Sequence, residues 1–327
     1  MDLIHNRTFV ECGHLFAPAW DGEDLIDVQT HQRIFSYGTF TGSAFSMGYP
    51  FNRGLCVRDA GVLWTLAYEN RGTKALLLKD GKVHRELNRS YNFAKEFDYP
   101  IALAVSSSGR AVVVHCPNSY TELECEDAET GETLWKKSTT NMEFHSRLSV
   151  SEDSGFLLSA GWFWHPVNGA WVSPFNRQNP TEDKKQDEVS FSFGAEIDGA
   201  AFLGRERVVI TTTEELIDSE VPPTGLPPMT IGVWSIPENR WISTAPLAEK
   251  TGTILPWREW AISFYKHPKA IELATGRIAH VWDDLDSGSQ VGSIDLGEPP
   301  PPAMALDPRL GKFAIAGAKG ITIISLG

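Results

Sequence analysis

Three histidines are each followed within two residues by a proline, in three separate predicted loops: His115, His165 and His267. Imidazole nitrogens are common ligands of divalent transition metals, and histidine titrates close to neutral pH. If the three loops converge, these side chains could hold a divalent metal ion. In the alternative interpretation, each histidine hydrogen-bonds a neighbouring part of the fold and each proline stiffens its turn.

Aromatic residues and one arginine lie in the same kind of loop. The run Trp162-Phe163-Trp164 cannot be buried entirely on one side of a loop, and aromatic side chains are favoured at binding hot spots. The alternative is that these rings fill the space between sheets. Arg71 could clamp a carboxylate with its planar guanidinium, or it is a solvated turn charge. The candidate binding residues are therefore Tyr120, Trp162, Trp164, His165, Tyr265, His267 and Arg71.

Motifs of common catalytic machineries are missing from the chain. The sequence has no GxSxG, P-loop, HExxH or EF-hand pattern. Paired carboxylates occur at Glu214-Glu215 and Asp283-Asp284, in stretches that look like exposed loops. General acid-base catalysis is therefore weakly supported, and no catalytic residue is predicted.

A repeated hairpin supplies the elements that would position these loops. In Thr121–Trp135 the glutamates at 122, 124 and 126 alternate with less polar residues, which indicates a half-buried strand before a turn and a second strand. Similar hairpins begin near residues 24, 74, 121, 169, 230, 270 and 321, mostly about 50 residues apart. This predicts an all-β, seven-bladed β-propeller of four-stranded antiparallel blades. A sandwich of unrelated hairpins is the alternative.

The segment DAETGETLW resembles the tryptophan-docking motif of quinoprotein-type propellers at four positions: Asp127, Thr130, Gly131 and Trp135. The Thr-Gly pair suits a tight turn, because glycine adopts positive φ without steric cost. The resemblance implies a tryptophan that fastens one blade to the next. Looser copies occur at Asp27/Thr30 and at Glu272/Thr275/Gly276. Similar turns occur in WD40-like propellers, so the resemblance supports the fold more strongly than a quinone cofactor.

The two ends of the chain are predicted to meet in one blade. The last blade offers three strands, at 303–306, 312–316 and 321–326, and we expect residues 2–6 to supply the fourth. Such closure removes the edge strands of the ring. Seven blades use the whole length, so residues 1–327 are predicted to form a single domain.

Strand direction sorts the loops into two rims. Because the strands of a blade alternate in direction, the turn between its second and third strands opens on the same side as the crossover to the next blade. Most long loops fall on this side, among them the second-to-third turns 69–72, 116–120, 161–168, 214–228 and 265–269 and the crossovers 36–53, 89–100 and 283–302. We call this side the crossover rim, and we expect function there because binding residues often lie on loops held by a rigid scaffold.

The composition limits partners and location. The net charge of −13 argues against nucleic acid and anionic membranes, which need a basic face, and it permits a basic partner. The first residues lack a basic segment followed by an apolar run, and no 18-residue apolar stretch occurs. The four cysteines are scattered. These features favour a cytoplasmic protein with reduced thiols.

The function that these observations favour is non-catalytic recognition. The propeller would present the acidic, aromatic crossover rim to a protein or peptide, which is possibly basic, and would need no cofactor. The alternative is an enzyme at the mouth of the central channel, either a quinoprotein-like oxidoreductase or a propeller hydrolase or lyase, with a divalent metal or quinone. A lectin that stacks sugars on tryptophan is a third possibility, although only one blade has the Trp-Phe-Trp run.

Overall fold

The computed structural model describes residues 4–42, 46–138, 143–163, 167–175, 188–191, 194–217, 224–289 and 301–327. These residues form thirty β-strands and no helix, so no helix among them could span a bilayer. The strands are β1 (Ile4–Glu11), β2 (Pro18–Asp21), β3 (Asp24–Asp27), β4 (Gln32–Ile34), β5 (Arg53–Asp59), β6 (Val62–Tyr68), β7 (Lys74–Lys79), β8 (Lys82–Asn88), β9 (Ile101–Val105), β10 (Ala111–His115), β11 (Glu122–Asp127), β12 (Thr133–Ser138), β13 (Glu143–Phe144), β14 (Leu148–Val150), β15 (Phe156–Ser159), β16 (Trp162–Phe163), β17 (Val167–Asn168), β18 (Trp171–Pro174), β19 (Val189–Ser190), β20 (Ala195–Leu203), β21 (Arg207–Leu216), β22 (Thr230–Ser235), β23 (Arg240–Pro246), β24 (Ile254–Trp257), β25 (Trp260–Ser263), β26 (Lys269–Glu272), β27 (Ile278–Val281), β28 (Met304–Asp307), β29 (Lys312–Gly317) and β30 (Gly320–Leu326).

The described strands form seven principal antiparallel sheets and one small extra sheet. In chain order the sheets, read outwards from the centre, are β2-β3-β4, β5-β6-β7-β8, β9-β10-β11-β12, β14-β15-β18-β19, β20-β21-β22-β23, β24-β25-β26-β27 and β28-β29-β30-β1. The extra sheet, β13-β16-β17, lies in the fourth blade and was not predicted. The first strand of each principal sheet contributes to the lining of a central channel.

Seven clusters of buried apolar residues connect the described sheets into a ring. Each cluster joins two consecutive sheets, and the sequence of clusters returns from the seventh sheet to the first. Strand β10 shows the cause: Val112 and Val114 pack towards the fourth sheet, whereas Val113 packs towards the second. Since side chains alternate between the faces of a strand, one apolar strand contributes to two interfaces. The predicted β-propeller fold is confirmed.

The ring is closed by the pairing of the first strand with the last. β1 runs antiparallel to β30, from Ile4 opposite Leu326 to Glu11 opposite Gly320. The closing strand was predicted, although it extends to Glu11 and not only to residue 6. Arg7 also forms an exposed ion pair with Asp284, beyond the sixth sheet.

The tryptophan-docking turn has the geometry that the resemblance implies. Asp127 Oδ1 accepts hydrogen bonds from the backbone amide of Thr130 at 2.9 Å and from its hydroxyl at 3.3 Å. Gly131 follows with a φ of 74°, in the left-handed region that glycine adopts readily. Trp135 then packs edge-on against Phe175 of the next sheet, with ring centroids 6.1 Å apart. The turn therefore links the third sheet to the fourth.

The two looser copies of this turn differ from each other. The copy at Glu272 lies in the turn between the third and fourth strands of its sheet, as the Asp127 copy does. There the hydroxyl of Thr275 donates a hydrogen bond to the carboxylate of Glu272. Asp27, however, lies between the second and third strands of the first sheet, where it accepts a hydrogen bond from the amide of Ala17. That sheet has three strands, and an isolated bridge between Ile34 and Phe40 takes the place of a fourth.

Candidate functional site

Loops from several blades meet at the mouth of the channel on the crossover rim. A cavity of about 420 Å³ is lined there by residues that include Arg53, Arg71, Asp98 and Arg147. Arg53 begins β5, Arg71 lies in the turn between β6 and β7, and the other two lie at the ends of crossovers. Crossovers and second-to-third turns therefore share one rim. The structure places Arg71, a predicted site residue, beside charged groups from other blades.

Asp98 lies between the arginines of this mouth. It accepts a 2.6 Å hydrogen bond from Asn70 Nδ2, and its Oδ1 lies 3.7 Å from Arg71 Nε. Burial lowers the pKa of Arg71, the charge of Asp98 opposes this shift, and the charge of Arg53 adds to it. The mouth therefore holds like charges close enough to repel each other, with one carboxylate between them.

Arg147 is the least compensated of these arginines. Its Nε and Nη1 donate long hydrogen bonds to backbone carbonyls, of Ala160 at 3.3 Å and Asp198 at 3.4 Å. Its Nη2 is buried and has no hydrogen-bond partner in the part of the chain that the structure describes. Burial lowers the pKa of Arg147, and the charges of Asp98 and Asp198 oppose that shift. The residue also has a φ of 37°, which is uncommon for a residue other than glycine.

The crossover 89–100 is held in place by a buried arginine. Arg89 is 4% exposed and donates hydrogen bonds to the carbonyls of Gly72, Ala94 and Phe97. Its guanidinium also lies 4.7 Å from the ring centroid of Tyr99, a cation–π contact. These bonds fix a segment that would otherwise be a free loop.

This crossover displays two aromatic side chains to solvent. Tyr91 is 87% exposed and Phe93 is 58% exposed. Tyr49, on the preceding crossover, is 42% exposed, and its carbonyl accepts a hydrogen bond from Gln29 Nε2. Large exposed rings on ordered loops are typical of binding surfaces.

Two of the predicted aromatic site residues have packing roles instead. Tyr120 is 5% exposed, and its hydroxyl donates a 2.6 Å hydrogen bond to the carbonyl of Ser90. Trp162 stacks on Phe144 with centroids 4.0 Å apart and packs against the cluster between the third and fourth sheets. The interpretation of Trp162 as filling between blades agrees with this geometry, and Tyr120 has little surface left for a partner.

Tyr265 and His267 lie in the β25–β26 turn. The ring of Tyr265 is half-buried, and the ammonium groups of Lys266 and Lys269 lie 5.2 and 5.6 Å from its centroid. His267 Nδ1 donates a 2.8 Å hydrogen bond to the carbonyl of Leu285. This turn thus combines an aromatic ring with positive charge, but His267 is engaged with the backbone of the next crossover.

The predicted histidine ring is not assembled from the described residues. His115 is 2% exposed, and its Nε2 lies 3.2 Å from Glu126 Oε1 on the adjacent strand. Within the described ranges, no three His, Cys, Asp or Glu side chains form a group that could hold a metal ion. Trp164 and His165 lie outside the described residues, so their predicted roles stay predictions.

The opposite mouth of the channel has paired charges. A second cavity of about 550 Å³ is lined there by residues that include Asp21 and Arg58. Arg58 donates two hydrogen bonds of 2.6 Å to the two carboxylate oxygens of Asp21. Arg33 bonds the same carboxylate and also Asp24. Burial alone would raise the pKa of Asp21, but hydrogen bonds and charges of Arg58 and Arg33 outweigh it, and the pKa is lowered.

Sequence reasoning missed most of the residues at the crossover-rim mouth. Arg53 and Asp98 lie in segments that were recognised as crossovers, yet nothing in their spacing marks them as neighbours. Arg147 follows a stretch without a recognised motif. A systematic count of charged residues at the ends of the crossovers could have identified Arg53 and Asp98.

A ring of antiparallel sheets around a channel defines a β-propeller. This chain is similar to the crystal structure of BamB from Moraxella catarrhalis, with 12% identity and a TM-score of 0.55 over 98% of this chain and 97% of that chain. It is also similar to the WD40 domain of Pan2 from Neurospora crassa, with 12% identity and a TM-score of 0.55 over 96% and 89%. No protein-family model and no curated protein sequence matches the chain. At such identities the likeness shows the fold alone.

Proposed function

We propose that this propeller is a non-catalytic recognition module that binds a protein or peptide through its crossover rim. The observation that carries the proposal is the pair of exposed rings, Tyr91 and Phe93, on a crossover that Arg89 holds from below. When a partner binds, exposed aromatic side chains bury their apolar surface against it. Such aromatic side chains contribute most of the binding energy at many interfaces.

The fixed backbone beneath these rings supports the proposal further. Binding costs less when the loop is already ordered, because less conformational entropy is lost. The carbonyls of Ala94 and Phe97 are both bonded to Arg89 Nη2, at 2.8 and 3.1 Å. Tyr120 adds a hydrogen bond to Ser90, one residue before Tyr91. The presented surface is therefore preorganised.

The net charge of −13 supports a partner other than nucleic acid or an anionic membrane. Taken over the whole surface, this negative charge also allows a basic partner. We also propose a cytoplasmic location, in keeping with the four scattered cysteines, and fractionation of the source cells would test it.

The binding proposal is tested by affinity capture from a lysate of the source organism. The double variant Tyr91→Ala/Phe93→Ala should lose a specific partner that the wild type retains. Tyr37→Ala is the matched control, because Tyr37 is 72% exposed and lies in the turn between β4 and the bridging residue Phe40. This third-to-fourth turn precedes the crossover itself and opens on the rim opposite the crossovers. A second double variant, Trp164→Ala/His165→Ala, tests the predicted residues of the fourth blade.

Retention of every partner by both double variants would contradict the proposal. The purified protein should also be examined for a bound metal by elemental analysis and for a quinone by absorbance. Either group in stoichiometric amount would favour the alternative function, an enzyme at the channel mouth.

A further inference from the structure

Resting on the proposed function, we infer that the channel mouth on the crossover rim binds carboxylate side chains of an acidic segment in the partner. Among the described residues, the cavity is lined by four arginines and two aspartates. Arg53, Arg71, Arg147 and Asp98 lie at its crossover-rim end, and Asp307, the last residue of β28, lies with Arg309 at its other end. The surroundings are thus positive in a chain whose net charge is −13. Clefts lined by one sign of charge concentrate ligands of the opposite sign.

Two of the three arginines at the crossover-rim end lack an ion pair. In the described part of the chain, Arg53 and Arg147 form no ion pair, and Arg53 Nη1 donates only to the carbonyl of Asn52, at 2.9 Å. Asp98 pairs with Arg71, and the charges of Asp98 and Asp198 act on Arg147 without forming an ion pair with it. A bound anion would relieve the remaining repulsion.

One guanidinium nitrogen in this mouth lacks an acceptor among the described residues. Arg147 Nη2 is buried without a hydrogen-bond partner among the described residues, and an unsatisfied buried donor destabilises a fold. A carboxylate matches the planar fork of a guanidinium and can accept two parallel hydrogen bonds. The cavity of about 420 Å³ is of the size that usually accommodates small ligands or side chains.

The partner is a peptide segment because the mouth is continuous with the exposed aromatic surface. The crossover that displays Tyr91 and Phe93 continues directly to Asp98 and Tyr99, which line the cavity. A peptide could therefore place apolar side chains on the two rings while its acidic side chains enter the channel mouth. A free small anion would make no use of the rings.

Fluorescence anisotropy with labelled hexaglutamate, and with hexaglutamine and hexalysine as controls, tests the inference on the full chain. We expect the wild type to bind hexaglutamate in a salt-sensitive manner and to bind neither control. Arg147→Gln and Arg53→Gln should each weaken binding about tenfold, the loss expected for a charge-assisted hydrogen bond. Arg205→Gln removes the same charge from an exposed turn between β20 and β21 and should change affinity less than about twofold.

The outcomes separate this inference from the proposed function. Absence of hexaglutamate binding, or equal weakening by Arg205→Gln, would overturn the carboxylate site. If the arginine variants keep the partner that Tyr91→Ala/Phe93→Ala loses, recognition by the rim stands and the carboxylate site fails. Tighter binding of a phosphoserine hexapeptide than of hexaglutamate would also overturn the assignment to carboxylates. Thermal unfolding verifies that each variant is folded. If Arg147→Gln does not fold, the affinity of Arg53→Gln for hexaglutamate tests the carboxylate site.

Discussion

The two mouths of the channel use arginine in opposite ways. At the opposite mouth Arg58 and Arg33 converge on Asp21, a buried carboxylate that accepts bonds from both. At the crossover-rim mouth Arg53 and Arg147 have no carboxylate partner among the described residues, and Asp98 is shared. Removing one partner of a buried ion pair is costly because it leaves the other charge uncompensated, whereas an arginine without an ion pair keeps donors for a ligand. Arginine is thus fully paired at one mouth and incompletely paired at the other, as the inferred carboxylate site requires.

The largest effect should follow from removing Asp21. Asp21→Ala leaves Arg58 and Arg33 without their shared acceptor, and we expect it to lower the free energy of unfolding by about 3 kcal/mol. Urea denaturation measures this loss. Asp24→Ala is the control, because Asp24 pairs with Arg33 alone and should cost about 1 kcal/mol. Equal losses in the two variants would refute the special role of the buried carboxylate.

The opposite mouth should also be sensitive to acid. The pKa of Asp21 in the folded protein is lowered from its ordinary value of 3.8, so the unfolded chain takes up the proton more readily. The stability that Asp21 contributes is therefore fully present above about pH 4 and is lost as the pH falls through the folded pKa. Unfolding experiments at several pH values should show the wild type and Asp21→Asn converging below pH 4. A constant difference down to the lowest pH would show that the carboxylate charge is irrelevant.

A smaller effect is expected from removing the negative charge at the crossover-rim mouth. Asp98→Asn keeps a side-chain oxygen that can accept the hydrogen bond from Asn70. It removes the negative charge that would compete with a peptide carboxylate for the arginines. Hexaglutamate affinity should rise about fivefold, roughly 1 kcal/mol. Asp153→Asn, in the turn between β14 and β15 at the opposite mouth, serves as the control and should leave affinity unchanged. Weaker binding of Asp98→Asn would mean that Asp98 contacts the peptide directly.

The smallest change in the free energy of unfolding is expected for Arg147→Met. The substitution loses two long backbone hydrogen bonds but also removes a buried charge that has no ion pair among the described residues. We expect the free energy of unfolding to stay within about 1 kcal/mol of the wild type, while hexaglutamate binding weakens about tenfold, as for Arg147→Gln. Differential scanning calorimetry measures the first quantity. A loss as large as that of Asp21→Ala would show that Arg147 is structural and would erase the contrast between the mouths.

The fold could be predicted because its causes are local in the sequence. The alternation of side chains between the two faces around Val113 specifies a strand, and the turn at Asp127 specifies a hairpin. Each signal is contained within about ten residues. Repetition of that pattern then predicted the ring and its closing strand. The copy at Asp27 lies in a second-to-third turn, which shows that a short acidic turn motif does not by itself specify which turn of a blade it forms.

The candidate site could be predicted only in part. Arg71 was identified because second-to-third turns lie on the crossover rim, a consequence of strand direction. Its neighbours Asp98 and Arg147 come from other blades, and local spacing does not encode which loops converge across a channel. The burial of Tyr120 was equally hidden, because it depends on Ser90 about thirty residues away.

The pairing of β1 with β30 also constrains how the protein is made. Residues 4–11 leave the ribosome more than 300 residues before their partners, 320–326. The strand β1 must therefore wait without its partner while all the intervening blades are synthesised, and the closing interface can form only after β30 has emerged. Contacts this distant in sequence are slow to form, so ring closure is a natural rate-limiting step and the stage at which a nascent chain is most exposed to pairing with the wrong neighbour.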